Sequence, residues 1–171
     1  MKVSGKNLKR RLYGLSCLRD RMTRTRHFRG HGVHSPFVYS LVRQVFMRSR
    51  LDSERRDLYD ALVACGVPEK RAVQLQNLFV HCGYATWAVD DAASSADIVI
   101  ATCDVDNEAL ASYEDNARLH GTLLVIMSPY KNRERDRACR ALVGKHISTA
   151  VDNRGYLLLF NNHLPKQRFR L

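Results

Sequence analysis

ADIVIATCDVDNEALASYEDNARLHGTLLVIMS, residues 96–128, holds two unbroken apolar runs, ADIVIAT (96–102) and TLLVIMS (122–128), around a polar stretch, Asn107–His120, of helical length. Unbroken rather than alternating apolar character suits a strand covered on both faces, and such strands are typically parallel and joined by a crossover helix. The stretch therefore predicts a β-α-β unit. Downstream, a helical pattern at Asn132–Val143 precedes two more β-rich runs, ISTAV (147–151) and YLLLF (156–160). Only Asp152-Asn153-Arg154-Gly155 separates those two, and such turn-forming residues between strands specify an antiparallel hairpin. Upstream, ATWAV (85–89) adds one further run.

The residues before position 85 follow a helical rhythm. Ser35 and Pro36 form a helix start, with a hydroxyl to cap an orphan amide and a ring whose φ already suits the first helical position. Phe37, Val38, Leu41, Val42, Val45 and Phe46 then fall in two i,i+4 rows. A third helix is predicted from Ser53 to Ala64, with Leu58, Ala61 and Leu62 inward and Gly66 past its end. Pro68 and Glu69 open a fourth, whose apolar face uses Val73, Leu75, Leu78 and Phe79 and whose end falls near Cys82-Gly83. Nearer the N-terminus, Leu8, Leu12, Leu15, Leu18 and Met22 line one face of a basic amphipathic helix over 6–22. RTRHFRGHG (24–32) reads as a connector. The expected organisation is a basic helix and connector over 1–34, then an α/β domain over 35–171.

Composition bounds the function classes. With 171 residues, 45% hydrophobic and 26% charged, the chain has the balance of one folded core rather than of a disordered segment. Its longest apolar run is strand-sized, which predicts no membrane span, and the basic N-terminus lacks the apolar stretch of a secretory signal. Five scattered cysteines without a CxxC pair predict reduced thiols and a cytoplasmic setting. His27, His31 and His34 are spaced for one helical face, but the intervening glycines oppose that helix and no cysteine or carboxylate completes a metal set.

Charge is the sharpest asymmetry. The net charge is +11, yet residues 1–50 carry 13 Lys and Arg against one acid, Asp20, while the rest of the chain is close to balanced. Such a block attracts polyanions, and Arg10, Arg11, Arg24, Arg26 and Arg29 are the candidate contacts to nucleic acid. The competing interpretation is a solvated helix face followed by a basic linker, because charge alone carries no recognition geometry.

A mostly parallel sheet that closes on an antiparallel hairpin resembles the ending of class I S-adenosylmethionine-dependent methyltransferases. GHGVHSPFVYSLVRQVF (30–46) is similar to the N-terminal signature of a methyltransferase-like family found in Bacteroidetes, in which a Gly-x-His-Ser-Pro-Phe-Val segment opens a helix. YKNRERDRACRALV (130–143), ISTAVDNRGYLLLF (147–160) and KQRFRL (166–171) resemble that family's last helix, hairpin and tail. The resemblance covers the front and back of the chain and implies a Rossmann-like sheet with S-adenosylmethionine as cofactor.

The middle departs from that pattern. A cofactor site of this kind needs a glycine-rich turn after a strand, so that the backbone can approach the ligand, and a carboxylate for the ribose hydroxyls. No such loop occurs in the sequence, where His81-Cys82-Gly83-Tyr84 offers a single glycine, and the chain is too short before residue 96 for the early βα units. The expected architecture is therefore a truncated version of the sheet. The remaining cofactor candidates are Gly83, Asp90, Asp91, Asp104 and Ser128. By the resemblance, Asp104 is the position for a substrate or metal contact, and each of these aspartates has a competing role as a turn or cap acid. Ser128-Pro129-Tyr130 stands where many O-methyltransferases carry a cation-binding acidic pair, so no metal is expected. The sequence thus favours a methyltransferase-like protein with a degenerate site, acting by binding and without a cofactor. An active methyltransferase with an atypical loop and a nucleic-acid-binding module are the alternatives. A sheet without its early strands exposes an edge, which the N-terminal helices or a second copy in a homodimer would cover.

Overall fold

The structure, a computed structural model, describes residue 13 and residues 33–171. The expectations for the basic helix over 6–22 and for the arginines at 10, 11, 24, 26 and 29 therefore lie outside the described residues. Tyr13 alone in that segment is described; it is helical, and its hydroxyl lies 3.5 Å from the carbonyl oxygen of Asn132.

Helix α1 (Pro36–Leu41) begins as its sequence dictates: the Ser35 hydroxyl accepts the Val38 N–H at 3.4 Å, and Pro36 occupies the first turn. It runs on through a π-helical turn, Val42–Phe46. Helix α2 (Asp57–Ala64) starts later than Ser53 because the Ser53 hydroxyl accepts the Arg55 N–H at 3.1 Å, a local bond that competes with helix formation. Helix α3 spans Glu69–His81. Strands β1 (Trp87–Val89) and β2 (Ile98–Ala101) follow, then helix α4 (Leu110–His120), strand β3 (Leu123–Met127) and helix α5 (Arg133–Lys145). Strands β4 (Ala150–Asp152), β5 (Tyr156–Leu159) and β6 (Arg168–Arg170) complete the chain.

The strands form one mixed sheet in the order β1-β2-β3-β5-β4-β6. Strands β1, β2 and β3 are parallel, with Ile98 opposite both Trp87 and Leu123. Strand β5 inserts antiparallel between β3 and β4, as the hairpin sequence predicts, and β6 pairs parallel to β4. The α/β class, the largely parallel sheet and the closing hairpin are as expected, while β6 is a strand that the tail's composition did not announce. Each of the strands β1–β5 is shorter than its apolar run, and at β1 and β4 side-chain bonds hold the residues just before the strand's start. Ala85 and Thr86 give their N–H groups to the Asp97 carboxylate, both at 2.8 Å, instead of to a neighbouring strand. The Ser148 and Thr149 hydroxyls bond the carbonyls of Leu164 and Pro165, each at 2.8 Å.

Side chains alternate across the sheet and build two cores. Ile98, Ile100, Leu123, Val125 and Leu158 face Leu41, Val45, Leu58, Leu62, Leu75 and Phe79 of the first three helices. Val99, Ala101, Leu124, Ile126 and Leu159 face Leu110, Tyr113, Ala117 and Cys139 on the other side. Each leucine buried this way contributes about 1.5–3 kcal/mol. Helices α1–α3 are thus one full layer of a three-layer sandwich, which is why the β2 and β3 sequences are apolar on both faces. Helix α2 also packs beside the edge strand: the Trp87 indole N–H donates to Asp57 at 2.8 Å, and the Arg55 guanidinium forks onto the same carboxylate. A helix of the same chain therefore packs beside the sheet edge that the sequence left exposed, and β1 remains half-buried there. At the far end of the sheet, buried His146 bonds Glu114 through Nδ1 at 2.7 Å, while its Nε2 lies 3.1 Å from the Phe160 carbonyl, tying α4 to the end of β5. Among the described residues, no helix is long and apolar enough to cross a membrane.

Candidate functional site

In an open α/β sheet, ligands bind at the carboxyl ends of the parallel strands. Here three loops meet at that edge: the one after β1 from Asp90, the one after β2 from Thr102 and the one after β3 from Ser128.

Asp90 leaves β1 with a left-handed φ of 56°, a conformation that aspartate tolerates better than most residues. Its two carboxylate oxygens accept the backbone N–H and the hydroxyl of Thr102, each at 2.7 Å. The carboxylate thereby clamps the ends of β1 and β2 together. Asp91 closes a local turn by accepting the Ala93 N–H at 3.0 Å. Ser128, also left-handed at φ 49°, donates its N–H to the Gly155 carbonyl at 2.8 Å, fastening the loop after β3 to the hairpin turn.

Between the second and third loops lies a polar cleft of about 260 Å³, lined by residues 103–107 and by Lys131, Asn132 and Arg135. Asp104 is the one sequence-predicted site residue that lines it. Its carboxylate is exposed and receives a weak Sγ contact from Cys103 at 3.7 Å. Lys131 reaches across to the Cys103 carbonyl at 2.9 Å. Behind the cleft sits Arg135, only 2% exposed. Its guanidinium donates to the carbonyls of Met127 at 3.1 Å, Thr102 at 2.7 Å and Val105 at 2.8 Å. One side chain from the first turn of α5 therefore satisfies the carboxyl ends of β2 and β3, where a parallel sheet leaves carbonyls without a ladder partner. The Asn132 side chain caps that helix by accepting the Arg135 N–H at 2.8 Å, which fixes where the guanidinium starts.

Gly83 is not part of this edge. It follows α3, on the side from which β1 starts, and has φ +68°. Its N–H bonds the Val80 carbonyl and the Tyr84 N–H bonds the Phe79 carbonyl, the paired bonds of a helix-ending glycine motif. The structure thus brings Asp90, Asp91, Asp104 and Ser128 to one edge and leaves Gly83 at the other end of β1. Among the described residues, no group of three or more His, Cys, Asp and Glu is placed to hold a metal ion.

Arg135 and Thr102 are the site residues that the sequence reading missed. The signal for Arg135 was present in the spacing. Cys139 and the partly buried Leu142 and Val143 give α5 an inward stripe, and Arg135 lies one turn earlier on it. An arginine on an inward stripe is one that the fold must satisfy internally.

No family model, curated protein or solved structure matches this chain.

Proposed function

We propose that this chain is a methyltransferase-like protein with a degenerate S-adenosylmethionine site, and that it acts by binding rather than by methyl transfer. The observation that carries this reading is the commitment of Asp90. S-adenosylmethionine requires a bare backbone turn after the leading strand and a carboxylate able to take its ribose hydroxyls. The turn after β1 instead places a side chain at a left-handed position, and both of its oxygens are used by Thr102. Strand β1 is followed directly by β2, so the connection brings no helix N-terminus to the crevice. The residues present do not fit this cofactor. Calorimetric titration of the purified chain with S-adenosylhomocysteine at moderate salt tests the reading. No binding heat is expected, and saturable micromolar binding would overturn it.

A second reading rests on a separate observation, the 13 bases against one acid in residues 1–50. By this reading the binding partner is a polyanion such as nucleic acid, held by that segment. Affinity for an unstructured RNA oligonucleotide should then fall steeply with salt and disappear when residues 1–29 are removed.

A further inference from the structure

A second cleft, also of about 260 Å³, lies between α5 and strands β4 and β6, apart from the crevice described above. Its floor is apolar, formed by Cys139, Val143, Ala150 and Leu157. Burial pushes the Cys139 thiol up to about 11, so this sulfur is uncharged at neutral pH and belongs to the apolar surface.

The rim of the cleft is cationic because of the way β6 alternates. Phe169 packs into the core shared with the first three helices, which turns its neighbours Arg168 and Arg170 toward the α5 face. Arg140 joins them from the helix and forks onto Asp136 at 2.7 and 3.1 Å. Arg170 lies 3.9 Å from Asp152, which also accepts the Tyr130 hydroxyl. Arg168 is different: it donates to the Gly144 carbonyl at 3.0 Å and, among the described residues, pairs with no carboxylate. Among the described residues, Arg168 thus brings to the rim a guanidinium that no carboxylate pairs, and it stands over an apolar floor.

We infer that this cleft binds a small apolar carboxylate of about one-ring size, its body against Val143 and Leu157 and its anionic head on Arg168. Size supports the class, since the volume falls just below the roughly 300–1,000 Å³ of pockets for larger ligands. Charge supports it too, because a guanidinium fork matches a carboxylate in shape and sign. The inference is independent of the methyltransferase-like reading, whose crevice lies at the ends of β1, β2 and β3.

The test is an amide-resolved NMR titration of the full chain with phenylacetate, with neutral phenylacetamide as the control. Saturable shifts centred on Val143, Ala150 and Leu157 are expected, with clearly weaker binding of the amide. Arg168→Gln, an exposed position, should weaken phenylacetate binding about tenfold and leave phenylacetamide unchanged. Val143→Trp, which fills the cleft, should remove both responses while near-ultraviolet circular dichroism keeps its folded signature. If that variant fails to fold, the Arg168→Gln comparison decides. Absence of saturation up to about 10 mM, about tenfold above a millimolar dissociation constant, overturns the proposal. So does equal affinity for acid and amide, or an affinity for the acid that Arg168→Gln leaves unchanged.

Discussion

Asp90 and Thr102 hold the ends of β1 and β2 together through two hydrogen bonds of 2.7 Å, one to the backbone and one to the hydroxyl. A parallel pair of only three matched residues gains much from such a clamp, because its ladder alone is short. Asp90→Ala removes both bonds and leaves a residue poorly suited to φ 56°, so a loss of about 2 kcal/mol is expected. Asp90→Asn keeps the left-handed tolerance and part of the bonding and should lose less. Urea denaturation of the two variants checks the order, and equal losses would mean that the carboxylate is not what holds the strands.

Arg135 gives the largest expected effect at the crevice. Arg135→Met leaves the carbonyls of Thr102, Val105 and Met127 without their donor in a site that water does not reach freely. Each stranded group costs about 1–3 kcal/mol, so a total loss of more than about 3 kcal/mol is expected. Arg135→Lys restores a charge but not the planar fork, and should recover only part of it. Denaturation midpoints measure the loss. Amide exchange in residues 102–107 should quicken in the methionine variant even where the rest of the sheet stays protected.

Much of the fold was legible because its determinants are local. Ser35 and Pro36 announce α1, the unbroken runs announce β2 and β3, and the four-residue turn announces the β4–β5 hairpin. The site was only half legible. Asp90, Asp104 and Ser128 are visible as residues after strands, but what Asp90 does depends on Thr102, twelve residues away and just past the end of another strand. The same limit hides β6: RFR alternates, but over three residues that is too short to announce a strand, and it becomes one because β4 presents a free edge beside it. Gly83 misled for the opposite reason. A lone glycine after a helix and a lone glycine in a binding loop look alike in sequence, and the cap bonds of Val80 and Phe79 separate them.

Gly83→Ala should accordingly behave as a cap mutation. With φ +68° and open space where a Cβ would go, the cost is conformational strain without a clash, about 1 kcal/mol. Thermal or urea unfolding reads this loss. The amide signals of the crevice residues 102–107 should stay where they are, and a shift there would place Gly83 in contact with the crevice after all.

Acid should destabilise the protein through two carboxylates at the β1 edge. The Arg55 guanidinium beside Asp57 pulls its carboxyl from 3.8 down to about 2, and the N–H groups of Thr86 and Ala85 hold Asp97 below its usual range. Because both groups are more acidic in the folded state, their contribution is complete above the unfolded value and is lost as pH falls through the folded one. Stability should therefore drop between about pH 4 and pH 2, and Asp57→Asn and Asp97→Asn should each flatten that limb. Solvent screens Asp57, so its share is modest. Urea midpoints measured across this range decide it, and an unchanged slope in both variants would assign the acid limb to other groups.

The hairpin turn and helix α3 are coupled through Gly155 and Arg71. A Cβ at Gly155 would lie 2.3 Å from the Arg71 Nε, so an alanine there must push the guanidinium aside. In its place Arg71 donates to Gln74 at 2.8 Å and lies over the Tyr156 ring, 5.6 Å from its centre. Buried Gln74 in turn bonds the Phe46 carbonyl at 2.7 Å, so the displaced side chain disturbs a network that ties the helical layer to the hairpin. Gly155→Ala should cost about 1–2 kcal/mol in the native background. In an Arg71→Ala background the obstacle is gone, and the same change should cost close to nothing. A double-mutant cycle measured by urea denaturation gives the coupling directly, with about 1 kcal/mol expected. Simple additivity would show that Gly155 is required by its own turn and not by the arginine packed upon it.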